Sequence, residues 1–353
     1  MLASNLSNLN RQAKIMCNLT AAVLGCDLIV TKLRQLSEDE KFVKDNVNLW
    51  VDGVIGTTIA VVGLFINSLT IFILRTKQDL KHVSTGLLCS LLVADNLFLA
   101  IKIINNCYWD FGVTSLGKLV TLALYPTEKI FLTMTIFLTV SIAHQGSAMA
   151  TDFERYDRIS SDQTSRRMKI LLYILPVVVS AVIFNIPRFL CYEFIEGRVE
   201  KTELRKNFHF IVVYENFVAN ILTVFGPITM LVFYNWNIYL FINEKHREIE
   251  EWNMDTKIRK QNKNHANVLF IIIIMFIICH FPRCFLKFYK GFYEPLWIKI
   301  LLSLSRTLII LHKSTTAIIY IIKNHKVQTY LRDIFGHVSN RTKSCSTEMQ
   351  TKD

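Results

Sequence analysis

Charge is scarce in this sequence. Only 19% of its 353 residues are Asp, Glu, Lys or Arg, against about a quarter in an ordinary soluble domain. Mean hydropathy is +0.33, which disfavours one or two soluble domains despite a length that would allow them. Chemical motifs are missing as well. The eight cysteines form no CxxC pair and no Cys/His cluster, so the usual zinc and redox frameworks are excluded. Neither a glycine-rich phosphate loop nor a GxSxG elbow is present, which argues against an enzyme. No apolar stretch repeats another, and their number is odd, so the inverted-repeat transporter folds are disfavoured.

What is present is a series of apolar blocks of about 20 residues, each long enough to cross a bilayer core of roughly 30 Å as a helix. Seven spans are expected, near 53–74, 85–104, 119–144, 169–187, 210–242, 266–286 and 296–322. The fold class expected is therefore all-α, a seven-helix membrane bundle over residues 51–335. A polar tail over 1–50 precedes it, and a polar, disordered tail over 336–353 follows. The third span is the weakest signal, because Glu128 and Lys129 interrupt it near one end, where a charged pair can face a water-filled cavity. A net charge of +12 would suggest nucleic acid in a soluble protein. Here the basic residues flank the spans, and the expected partner is the bilayer surface, with no nucleic acid.

Orientation follows from Lys and Arg in the short loops. Arg75, Lys77 and Lys81 follow the first span, Arg155 to Lys169 the third, and Lys245 to Lys263 the fifth. These loops are expected inside, which puts the N-terminus outside, even though the loop after span four is also basic. The sequons at Asn5 and Asn18 fit an external, glycosylated tail; a cleaved signal peptide over 19–30 is the less favoured alternative, since that run is short and contains Asp27. After span seven, Val327, Tyr330, Leu331 and Ile334 fall on one helical face, as in an amphipathic helix lying on the inner leaflet.

Particular residues resemble the rhodopsin-like class of G-protein-coupled receptors. Gly63 to Asn67 resembles its GxxxN, Leu91 to Asp95 its LxxxD, and Trp109 to Gly112 its WxFG. The stretch from Phe276 through His280 and Pro282 to Arg283 resembles its FxxCWxP, in a CHxPR form. Asn185-Ile186-Pro187-Arg188-Phe189, Thr202 to Asn207, and Phe225-Gly226-Pro227 resemble the invertebrate FMRFamide-peptide-receptor branch. The resemblance implies a multi-pass plasma-membrane receptor for a neuropeptide, with a heterotrimeric G protein as intracellular partner, no cofactor and no catalysis.

Departures from the family pattern concentrate at the switch positions. The family's DRY-type triplet has an arginine about fifty residues after the helix-two aspartate, and fifty from Asp95 is Gln145. The counterpart is thus His144-Gln145-Gly146, and Glu154-Arg155-Tyr156 reads as solvated loop charge. NPxxY appears as Thr316-Ala317-Ile318-Ile319-Tyr320, without its proline kink. The cysteine expected at the start of helix three is missing, leaving Cys107 and Cys191 either as a replacement bridge or as two free thiols. These losses support an alternative function: a seven-helix ligand-binding or scaffold protein that no longer activates G proteins.

Charges within the spans are functional hypotheses by default. In the family the helix-two aspartate joins polar groups of helices three and seven around a sodium ion. Here those positions are Asp95, Met134, His312, Lys313 and Thr316. A thioether replaces an oxygen, and an ammonium enters where the cation would sit, so no metal is expected. Pairing Asp95 with Lys313 is the expected solution; the alternative has Asp95 protonated and Lys313 pointing elsewhere. An opsin reading fails on register, since the retinal lysine would fall at Ile310. Together with Asn67, His280, Pro282 and Tyr320, these residues form the expected switch core. Lys102, Thr127, Glu128, Arg283 and Arg306 are the expected ligand-pocket residues. Glu128 either meets a ligand arginine or pairs internally with Arg306 or Lys102.

Overall fold

A computed structural model describes residues 38, 40–43, 45–76, 83–109, 117, 120–151, 162–195, 198–249, 270–272, 274–286, 296–323 and 327–332. The sequons at Asn5 and Asn18, the short apolar run over 19–30, the triplet Glu154-Arg155-Tyr156, the tail over 336–353 and Ile334 lie outside these residues.

Among the described residues, seven apolar helices follow one another along the chain. Helix α1 is Thr57–Thr76, entered through a wider π-helical stretch, Asn48–Gly56. Helix α2 is Val83–Trp109, and α3 is Tyr125–Thr151 after a π-helical turn, Val120–Leu124. Helix α4 is Gln163–Phe189. Helix α5 is Gly226–Ile249, preceded by π-helical Phe210–Val218 and Ile221–Phe225. Helix α6 is Phe270–Leu286, and α7 is Leu296–Lys323. Among the described residues, five helical runs are apolar and long enough to cross a membrane on those grounds alone. The described part of α6 is shorter, and α7 carries Lys299, Arg306 and Lys313 along its length.

Helices α2, α3 and α4 overrun the expected spans because they continue into polar residues at their ends. Helix α4 starts six residues early, where the Asp162 carboxylate accepts hydrogen bonds from the Thr164 and Ser165 amides at 3.3 and 2.8 Å. That cap satisfies donors the first turn would otherwise leave open. Between α4 and α5 the chain forms a hairpin that the apolar pattern does not announce. Strands β1 (Tyr192–Ile195) and β2 (Arg198–Lys201) pair antiparallel, Tyr192 opposite Lys201.

Apolar residues face both ways. Inside, Leu91, Leu92, Leu138, Ala317 and Tyr320 form one cluster shared by α2, α3 and α7; Ile136, Leu231 and Phe276 join α3, α5 and α6. Outside, Phe65 on α1 is 69% exposed and Leu172 on α4 is 73% exposed. A ring of large exposed apolar side chains around a helical bundle suits lipid, not water. After α7, residues 327–332 form a further helical turn. Its Val327 is fully buried, and its Tyr330 and Leu331 pack on the α2/α7 cluster. The short helix is thus docked onto the end of the bundle by the face expected to be apolar.

Candidate functional site

At the hairpin end the helices open around a cavity of about 610 Å³. Helices α2, α3, α4, α6 and α7 and the segments leading into α1 and α5 line it, and its wall is dense in charge: Asp45, Asp52, Glu128 and Glu215 against Lys102, Lys129, Arg188, Arg205, Arg283 and Arg306. Three ion pairs organise this wall. Glu128 takes Lys129 at 2.6 Å through one oxygen and the Asn105 amide at 2.6 Å through the other. Arg205 pairs with Glu215, which ties the segment after the hairpin to the lead-in of α5. Arg306 pairs with Asp52, which also accepts from Ser303 at 2.8 Å and Thr307 at 3.3 Å.

These pairings differ from those expected. Glu128 does not bind Arg306 or Lys102 as an ion pair; its sequence neighbour Lys129 already reaches it. Arg306 finds Asp52 on the neighbouring lead-in to α1 instead. That partner lies at the edge of the first apolar run, where a lone acid reads as a flanking charge. An uncompensated cation in α7 was the one available hint. Thr127 does not line the cavity: its hydroxyl donates to the Ala123 carbonyl at 2.7 Å, in the π-helical turn that leads into α3. Cys107 and Cys191 are free thiols. Cys191 turns its Sγ toward the Pro187 carbonyl at 3.5 Å, at the end of α4, which takes it out of use as a bridge. Lys102 and Arg283 do line the cavity.

Below the cavity, halfway along the bundle, lies a second polar group. Lys313 Nζ stands 3.5 Å from Asp95 Oδ1, with both side chains at most 1% exposed. Neither makes a hydrogen bond among the described residues, so the contact is ionic. The Lys313 carbonyl accepts from the Asn67 amide at 3.2 Å, linking α1 to α7. Toward α6, His280 stacks on Phe276 with ring centroids 4.3 Å apart, and His312 meets His280 edge-on at 5.3 Å. The Thr316 hydroxyl bonds back to the His312 carbonyl. Pro282 is half-buried two residues further along α6, and Met134 packs against the α2/α7 cluster.

The model of the 7 transmembrane receptor (rhodopsin family) fits residues 66–320. The chain belongs to the rhodopsin family of receptors. A similar protein is the FMRFamide receptor of Drosophila melanogaster, 23% identical over an alignment 313 residues long that covers 82% of this chain. The chain spans about half the length of that relative, 55% of it.

As a member of this family, the receptor has a helix-two/helix-seven site whose donors do not suit a sodium ion. Sodium is a hard cation that wants oxygen ligands. Here the Lys313 ammonium already faces Asp95, and a thioether stands at Met134. At the bundle end opposite the hairpin, α3 runs through His144-Gln145-Gly146 to Thr151. His144 is exposed, its Nδ1 3.1 Å from the Tyr173 hydroxyl and its ring edge-on to Tyr234 at 5.1 Å. Gln145 and Gly146 are buried. No arginine stands on α3 at this end among the described residues. Ala317 is fully buried in α7, where the family's proline would fall.

Proposed function

We propose that this chain is a plasma-membrane receptor for a short peptide, with its N-terminus and hairpin outside. Ligand binding in the hairpin-end cavity shifts an equilibrium between helix packings that an intracellular partner reads. The observation that carries this reading is the cavity. At about 610 Å³ it falls within the usual size of ligand sites. Its wall supplies charged and amide groups from several helices at once, as a peptide with charged groups requires. The similarity to an FMRFamide receptor points to a neuropeptide and supports a heterotrimeric G protein as partner.

A second reading is favoured by a specific observation. The inner end of α3 carries His144 and Gln145 in place of a cation, and α7 has alanine for its proline. Under this reading the protein binds its peptide without activating a G protein, as a trap or scaffold. Membranes containing the chain, exposed to a peptide library, separate the two. Peptide binding with accelerated guanine-nucleotide exchange supports the signalling receptor. Binding with no exchange, across all G-protein classes, supports the scaffold. No saturable peptide binding sinks both.

A further inference from the structure

We propose that the cavity anchors its ligand through a carboxylate, received by Lys102, Arg188 and Arg283. This rests on the peptide reading above and narrows it. The wall holds six cations and four carboxylates. Three of each are used up in the pairs Lys129–Glu128, Arg205–Glu215 and Arg306–Asp52. The remainder is unequal: Lys102, Arg188 and Arg283 against Asp45 alone, none of them in an ion pair among the described residues. A cation with little access to bulk water and no counter-charge in contact is costly, and within a membrane protein such a group marks a ligand or ion path.

One of these cations is also held in place. Arg188 is 8% exposed. It donates to the Asn185 side-chain oxygen and lies 5.3 and 5.4 Å from the Phe184 and Tyr214 rings. Asn185 is fixed in turn, donating to the Thr133 hydroxyl at 3.1 Å and the Ala181 carbonyl at 2.7 Å. Arg188 presents five N–H donors, of which this arrangement uses one. Beneath the main cavity lies a smaller one of about 50 Å³, and the two share Lys129, Arg188, Arg283 and Ile309. Both guanidinium groups therefore stand at the neck between the cavities, with Lys102 on the α2 wall above. A planar carboxylate fits the guanidinium fork through two parallel hydrogen bonds. Glu128 offers no comparable opening to a ligand arginine, because both of its oxygens are engaged.

A peptide can supply the carboxylate from its C-terminus or from an Asp or Glu side chain, and a thermal-stability experiment distinguishes these. The full chain, purified in detergent, is mixed with three pools of short peptides of one length. One has free C-terminal acids and no Asp or Glu, one has amidated termini and a single Asp or Glu, and one is amidated with no carboxylate. Binding to the folded state raises the melting temperature. The first or second pool is expected to raise it, and the one that does names the source of the carboxylate; the third is expected to leave it unchanged. Lys102→Gln and Arg283→Gln, each with an unliganded melting temperature like the parent's, are expected to weaken that binding about tenfold or more. Arg188 packs too tightly for its variant to be a clean test. Equal stabilisation by the carboxylate-free pool overturns the anchor while leaving a peptide receptor intact. Undiminished binding in both variants overturns the anchor as well, and no stabilisation by any pool overturns both readings.

Discussion

At the scale of single residues, the Asp95–Lys313 contact decides how the bundle centre is held. Two opposite charges, each at most 1% exposed, stand 3.5 Å apart. Removing one partner of such a pair leaves an uncompensated buried charge and typically costs about 3–5 kcal/mol. Asp95→Asn and Lys313→Met should therefore each lower folded surface expression and melting temperature sharply, and the double variant should recover much of the loss. Simple additivity of the three values would rule out coupling between the two groups. The sequence made this pair readable for a physical reason: each charge is isolated within a long apolar run at similar depth, so each has few available partners. Asp52–Arg306 was not readable in the same way. Asp52 sits where an apolar run begins, among flanking polar residues, and linear spacing does not say which of several acids an α7 arginine will meet. Asp52→Asn should weaken the α1–α7 clasp at the hairpin end, read as a lower melting temperature and faster hydrogen exchange across 48–56. Unchanged exchange there would mean that Ser303 and Thr307 hold the clasp alone.

Between elements, α1 lies close against α7 at Gly63. A Cβ placed on Gly63 would lie 2.9 Å from the Ser314 Cα and nearer still to its side chain. Backbone cannot yield cheaply, whereas a side-chain tip can. Gly86 gives the contrast: its added Cβ would meet only the outer atoms of Ile170. Gly63→Ala should thus cost about 1–3 kcal/mol through overpacking, with α1 displaced from α7 and the Asn67–Lys313 hydrogen bond lost. Gly86→Ala should cost less than about 1.5 kcal/mol, because Ile170 can change rotamer. Melting temperatures of the two variants check the order, and a reversal would show that the helices do not approach as described. Gly63 is part of the GxxxN pattern, so its importance was visible in the sequence while its reason was not. The same limit applies to the helix ends. Apolar runs mark the part of a helix that lipid demands, but caps such as Asp162 and polar overruns such as Asn105 and Asn106 extend beyond it. The β1–β2 hairpin gave no apolar signal either, because its register rests on backbone pairing between mixed polar residues.

At the scale of the whole receptor, the charge at the bundle centre bears on how its states respond to ions. An ion shifts a conformational equilibrium only by its differential affinity for the two states. In rhodopsin-family receptors a sodium ion beside the helix-two aspartate can supply such a bias. Here a covalently attached cation, Lys313, faces Asp95 in its place, and it cannot be diluted away. A mobile cation entering beside an ammonium would meet repulsion in a poorly screened interior, with Met134 offering sulfur where oxygen is needed. Peptide affinity should consequently stay within about twofold, or under about 0.5 kcal/mol, when sodium chloride is exchanged for choline chloride at equal ionic strength. Holding ionic strength fixed matters, since charges lining the hairpin-end cavity respond to screening whatever the cation. The Lys313→Met variant sharpens the test, because it frees Asp95 while leaving the remaining wall unchanged. If it folds, sodium sensitivity should increase relative to the parent. A tenfold sodium effect on the parent chain, equivalent to about 1.4 kcal/mol, would mean that Lys313 moves away from Asp95 in one of the functional states and that the ion pair is itself part of the switch.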